Sequence, residues 1–171
     1  MADNGLVRIG KLSSINYEQG TARITYEDKG GSTTAEFSFL AWEYWMPKIG
    51  EQVLVAHRSS GTSSAVILGP VWHDGRRPIE GAEGIYRKEY EAEQGVAYER
   101  YSAKEKKLTI VAGGCTITMQ NGTVSITGNM AISGNLTVSG TIHSGGDMTA
   151  GSISAQGHTH SGVHGETSGP H

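Results

Sequence analysis

The stretch that decides the fold reads GTVSIT (122–127), GNMAIS (128–133), GNLTVS (134–139), GTIHSG (140–145) and GDMTAG (146–151), five units of six residues. Glycine opens each unit. Val124, Met130, Leu136, Ile142 and Met148 hold the third place, and Ile126, Ile132, Val138, Ser144 and Ala150 the fifth. Residues two apart on an extended chain point to the same side, so the third and fifth places form one apolar face. Each unit is therefore predicted to be a four-residue strand with a glycine corner, the Gly-Asn pairs supplying left-handed backbone. Leu108, Ile110, Cys115, Ile117 and Met119 open the pattern less regularly and put Cys115 on the apolar face.

A single copy of the segment cannot stand alone. Ordering its roughly 50 residues costs on the order of 50 to 100 kcal/mol, while ten modest apolar side chains return about 15 to 30. Short lone strands also leave their edges unpaired. Several identical copies wound about one axis meet both demands, so the hexads predict an oligomer. The left-handed β-helix of hexapeptide-repeat acyltransferases shares the six-residue aliphatic period but needs three hexads per coil. Five units make fewer than two coils, and stacked repeats need about three units to share a core. Its histidine base would be His143, which falls on the outward fourth place.

Ahead of the hexads the period is two. Alternation marks five short strands, at 6–9, 22–26, 35–39, 53–56 and 65–68. Turn-forming residues separate them at 18–20, 28–31, 47–50 and 59–61. Five short strands in about 70 residues without an amphipathic helix suit a small Greek-key barrel of the OB type. His57 reads as a strand histidine, and His73-Asp74-Gly75 as a turn. Trp42, Tyr44 and Trp45 surround Glu43 with no Lys/Arg cluster beside them, so they read as barrel packing or a protein contact rather than a platform for bases. Residues 81–107 are dense in charge and tyrosine and read as bridging amphipathic strands.

Composition narrows the function. Fourteen Lys and Arg against 17 Asp and Glu give a net charge of −3, with no cationic surplus to attract phosphates, so nucleic acid is not an expected partner. Of the charged residues only Asp147 and Glu166 follow Leu108. The single cysteine, Cys115, cannot form an internal disulfide. No apolar run long enough to span a membrane occurs, and the first residues lack the apolar stretch of a signal peptide, so synthesis in the cytosol is expected. Gly-x-Ser-x-Gly, His-Glu-x-x-His and phosphate-loop motifs are absent, and neither catalysis nor a small-molecule substrate is expected.

With the residues in view, the chain resembles the phage baseplate assembly protein V family. Residues 7–11, the run Trp45-Met46-Pro47-Lys48-Ile49-Gly50-Glu51-Gln52-Val53-Leu54-Val55 and the run Val66-Ile67-Leu68-Gly69 look like that family's OB domain. The glycine-spaced hexads and His158-Thr159-His160 resemble its shaft and tip. The resemblance implies an all-β chain: an OB-fold barrel (1–80), bridging strands (81–107), an intertwined homotrimeric β-helix shaft (108–157) and a metal-capped tip (158–171). It implies a central spike at the end of a contractile phage tail or a phage-tail-like bacteriocin. The barrel would attach to the tail hub and baseplate, and the tip would perforate the target's outer membrane.

His158 and His160, two apart, face the same way on an extended strand. Were three chains to converge, six imidazoles would surround one point and favour an octahedral transition metal. The resemblance specifies iron, one ion per trimer, held by His158 and His160. His164 and His171 break the spacing and read as tip surface. A zinc site of His158, His160 and His164 within one chain would have only Glu166 as its catalytic carboxylate. A receptor-binding tail fibre is the alternative role, but the terminal SGVHGETSGPH (161–171) is small and lacks the aromatic residues of a recognition surface.

Overall fold

The computed structural model describes residues 6–58 and 64–169. Among these the chain is all-β, with one short 3₁₀ turn at Glu27–Lys29 and no α-helix. By contacts it divides into two units, 1–129 and 130–171.

The first part of unit one holds six strands: β1 (Val7–Asn16), β2 (Thr21–Tyr26), β3 (Ser32–Thr33), β4 (Phe37–Phe39), β5 (Gln52–His57) and β6 (Ala65–Pro70). Five of them close on themselves in the order β1-β5-β6-β4-β2 and back to β1, with β3 appended to β2. All pairings are antiparallel except β4 with β6, which is parallel. A closed five-stranded barrel of this order is consistent with the OB fold. Leu12, Ile24, Phe37, Val53, Val55 and Ile67 fill its interior. Gly10 lets β1 lie close to β2: a Cβ there would come within 2.3 Å of Ile24 Cγ2 and 2.7 Å of Tyr26 Cε1.

The five expected strands are present, but the inward side of β1 is the opposite of what its apolar residues suggest. Gly10 and Leu12 are buried, whereas Val7 and Ile9 are exposed. Arg8 shares the inward phase and closes the barrel end, with its guanidinium 4.6 Å from the Tyr26 ring and paired to Asp28.

A second sheet follows in the same unit. Strands β7 (Ile85–Glu89), β8 (Tyr98–Ser102), β9 (Lys107–Ala112), β10 (Cys115–Gln120) and β11 (Thr123–Thr127) form an antiparallel meander in sequence order. The 81–107 stretch and the start of the repeat thus belong to one sheet. Two-residue turns join its last three strands: Gly113-Gly114, and Asn121-Gly122 with φ of 51° and 75°, the left-handed pair that a tight hairpin requires.

Beyond β11 the hexads differ from the expectation of one strand per unit. Only GTVSIT forms a strand of the expected length, and residues 128–148 carry none in the single chain. A strand is defined by the neighbour it pairs with, and this stretch has none within its own chain. Unit two regains pairing in two small hairpins, β12 (Thr149–Ala150) with β13 (Ile153–Ser154), and β14 (Ser161–Gly162) with β15 (Gly165–Glu166).

Candidate interaction faces and metal centre

Cross-strand register sorts the meander's side chains onto two faces. Directly opposed residues share a face, and Met119 opposes Leu108 and Val124, while Ile117 opposes Ile110 and Ile126. With Cys115 and Tyr101, these residues make one apolar face. It is open: Met119, Val124, Ile126 and Tyr101 are all exposed, and Leu108, Ile110 and Ile117 only half-buried. Cys115 is an exposed thiol on that face.

The opposite face carries Arg87, Glu89 and Arg100 and is the better covered of the two at β7 and β8, while Lys88 and Glu99 fall on the same side as Ile110. Arg87 lies 3.6 Å from the Tyr98 ring centre and donates to Glu89 at 2.5 Å. Arg100 donates twice to Glu80, both at 2.6 Å. That fork holds the Glu80 carboxyl below the usual carboxylate range and raises Arg100 further above its own. Arg87 and Arg100 on this face are thus matched by Glu80 and Glu89, while the apolar residues on the other face are open.

Unit two, taken by itself, shows the same exposure. Met130 (63%), Leu136 (64%), Ile142 (54%) and Ile153 (60%) are all open. The first three are third-place residues of the repeat, joined by Ile132 and Val138 from the fifth, and Ile153 lies just beyond the last unit. A monomeric soluble chain rarely exposes so many contiguous aliphatic side chains.

The barrel offers a smaller surface. Val7, Ile9 and Leu68 are exposed on its outer side. Trp42 and Tyr44 project from the loop between β4 and β5, while Trp45 and Met46 are half-buried beside a groove of about 260 Å³ that Lys88 borders. Of the two expected roles, barrel packing or a protein contact, packing fits Trp45, half-buried with the Arg76 guanidinium 5.6 Å from its ring. Trp42 and Tyr44 are exposed and do not pack on the barrel. Lys88 donates to Glu43 at 2.5 Å, which ties this loop to β7.

His57 ends β5 as expected, with Nε2 2.8 Å from the Tyr26 hydroxyl and Nδ1 buried without a partner. Burial and, less, the neighbouring Arg8 lower its pKa. His73 pairs with Arg76 across the Asp74-Gly75 turn.

Near the C-terminus His158 and His160 come together: their ring centres are 5.1 Å apart and the rings are nearly perpendicular. Each is fixed by a hairpin. The His158 ring Nδ1 lies 2.8 Å from the Ser154 carbonyl oxygen. His160 donates its backbone N–H to the Thr167 hydroxyl at 3.0 Å and accepts the Thr167 N–H at 2.9 Å. Ser154 and Thr167 carried no signal in the sequence, because their contacts exist only once both hairpins form.

Among the described residues Nε2 of His158 has no hydrogen-bond partner, and two imidazoles 5.1 Å apart are of a kind that suits a borderline metal ion. Among the described residues no three His, Cys, Asp or Glu side chains gather, so the single-chain set of His158, His160 and His164 is not assembled. His164 sits in the turn between β14 and β15, and His171 lies outside the described residues. No described helix is long and apolar enough to cross a membrane.

Compared with known proteins, the chain matches no family model and no curated relative.

Proposed function

We propose that the chain is the central spike of a contractile injection apparatus, a phage tail or a phage-tail-like bacteriocin, and acts as a homotrimer. The observation that carries this reading is the open apolar face of the repeat, whose period continues from Val124 to Met148 while the single chain provides nothing to cover it. Three copies wound together would turn those faces inward and give each unpaired edge a neighbour. The barrel, with its exposed outer apolar residues and aromatic loop, supports a role as the attachment to the tail hub and baseplate.

Function on this reading is mechanical. Intertwined strands resist separation because many inter-chain hydrogen bonds must break together, and sheath contraction supplies the force that drives the tip through the outer membrane. His158 and His160 of three copies would hold one metal ion, iron on the family resemblance. The ion would cross-link the three chains where the aliphatic repeat has ended. No reaction is catalysed.

Immunogold labelling of isolated contractile tails with antibody against this chain tests the assignment. Label at the distal end of the baseplate is expected; tails without label at that end would overturn it.

A further inference from the structure

The second charged residue from the end of the chain, Asp147, sits in the second place of its hexad, where the other units carry Thr or Asn. Its carboxylate accepts the Gln156 backbone N–H at 3.1 Å and the Ser154 hydroxyl, with further backbone contributions from Met148 and Ala155. These bonds, Ser154 first, hold it below the usual carboxylate range. They also close the β12–β13 hairpin from outside. Ser154 then works on its other side: its Oγ accepts the Gly157 N–H at 2.8 Å, and its carbonyl accepts the His158 backbone N–H at 3.2 Å.

The same carbonyl lies 2.8 Å from the His158 ring Nδ1. A carbonyl has no proton to give, so Nδ1 must carry it. In the neutral ring the remaining lone pair is then on Nε2. We propose that Asp147 is the positioning residue of the tip: by capping the hairpin it holds the Ser154 carbonyl against His158, which fixes the Nδ1–H tautomer and presents Nε2 as the ligand atom. This rests on reading His158 and His160 as metal ligands. It assigns a role to a carboxylate eleven positions from the histidine, one that would otherwise be taken as an isolated surface charge.

The test uses the full chain as wild type, Asp147→Ala, Asp147→Asn and the double variant His158→Ala/His160→Ala, each titrated with ferrous iron alone under anaerobic conditions. Loss of an outer partner of a metal-bound histidine costs about 10- to 100-fold in affinity. Asp147→Ala is expected to show a loss of that size at unchanged sedimentation mass. Asp147→Asn keeps a carbonyl oxygen for the Gln156 N–H and the Ser154 hydroxyl, and is expected to recover to within a few-fold of wild type. Long-range ¹H–¹⁵N spectra of the metal-free wild type should show His158 protonated at Nδ1. An Nε2–H tautomer there would overturn the proposal without any variant. Wild-type affinity in Asp147→Ala, with none in the double-histidine variant, would overturn the positioning role and leave the ligands standing. Equal losses in Asp147→Asn and Asp147→Ala would make the effect one of charge and overturn the cap. Undiminished binding in the double-histidine variant would remove the ligand assignment and this inference with it.

Discussion

Two residues carry much of the barrel's individuality. Gly10 is buried where β1 passes over Ile24 and Tyr26, and a methyl group there meets both at distances that carbon atoms do not adopt. Gly10→Ala should therefore destabilise the barrel by about 1–3 kcal/mol, the usual cost of forcing volume into a packed core, as a lower midpoint in urea unfolding. His57 carries a pH dependence. Its folded pKa is lowered, so between that value and the unfolded value of about 6.5 the unfolded chain binds more protons. Its contribution is complete above the unfolded pKa and is lost as pH falls through the folded one. Melting temperature should accordingly drop on acidification below neutrality, and His57→Gln, which keeps a partner for the Tyr26 hydroxyl, should flatten that part of the profile. An unchanged slope in the variant would contradict the assignment. The direction of β1's side chains was not legible in the sequence, because Val7 and Ile9 look like core residues. What reverses them is Gly10, whose lack of a side chain allows the close packing of β1 on β2.

At the scale of elements, the strands of the barrel were legible because turn residues bracket each one and alternation runs through each. The meander was only half legible. Its β9–β11 part follows from the apolar period, but the joining of β7 and β8 to it depends on register between segments that share no composition. The hexads teach the converse lesson: their period is plain in the sequence, yet residues 128–148 form no strand alone, since extended backbone becomes a strand only through a partner. If a second and third copy supply that partner, charge on the inward places must break it. Leu136→Asp with Val138→Asp, two neighbours on one face, is expected to shift the chain to lower mass in sedimentation velocity while leaving the barrel's unfolding transition in place. A double variant that keeps the wild-type mass would place these residues outside any interface. That His158 and His160 lie together follows from their spacing, but the bonds made near them by Asp147 and Thr167 do not, because they close only through hairpins.

For the molecule as a whole, the distribution of cover is the governing fact. The barrel packs its own core, Arg87 and Arg100 of the meander are paired with Glu80 and Glu89, and the aliphatic face of the repeat is left open from Val124 to Met148. On the proposed reading, further copies cover the face that the single chain leaves open. The direct measurement is the solution mass of the purified chain by sedimentation equilibrium across a range of concentrations. The account predicts a single species of three 18.1 kDa copies, about 54 kDa, that does not dissociate on dilution to the micromolar range. A well-folded species of 18.1 kDa would contradict it.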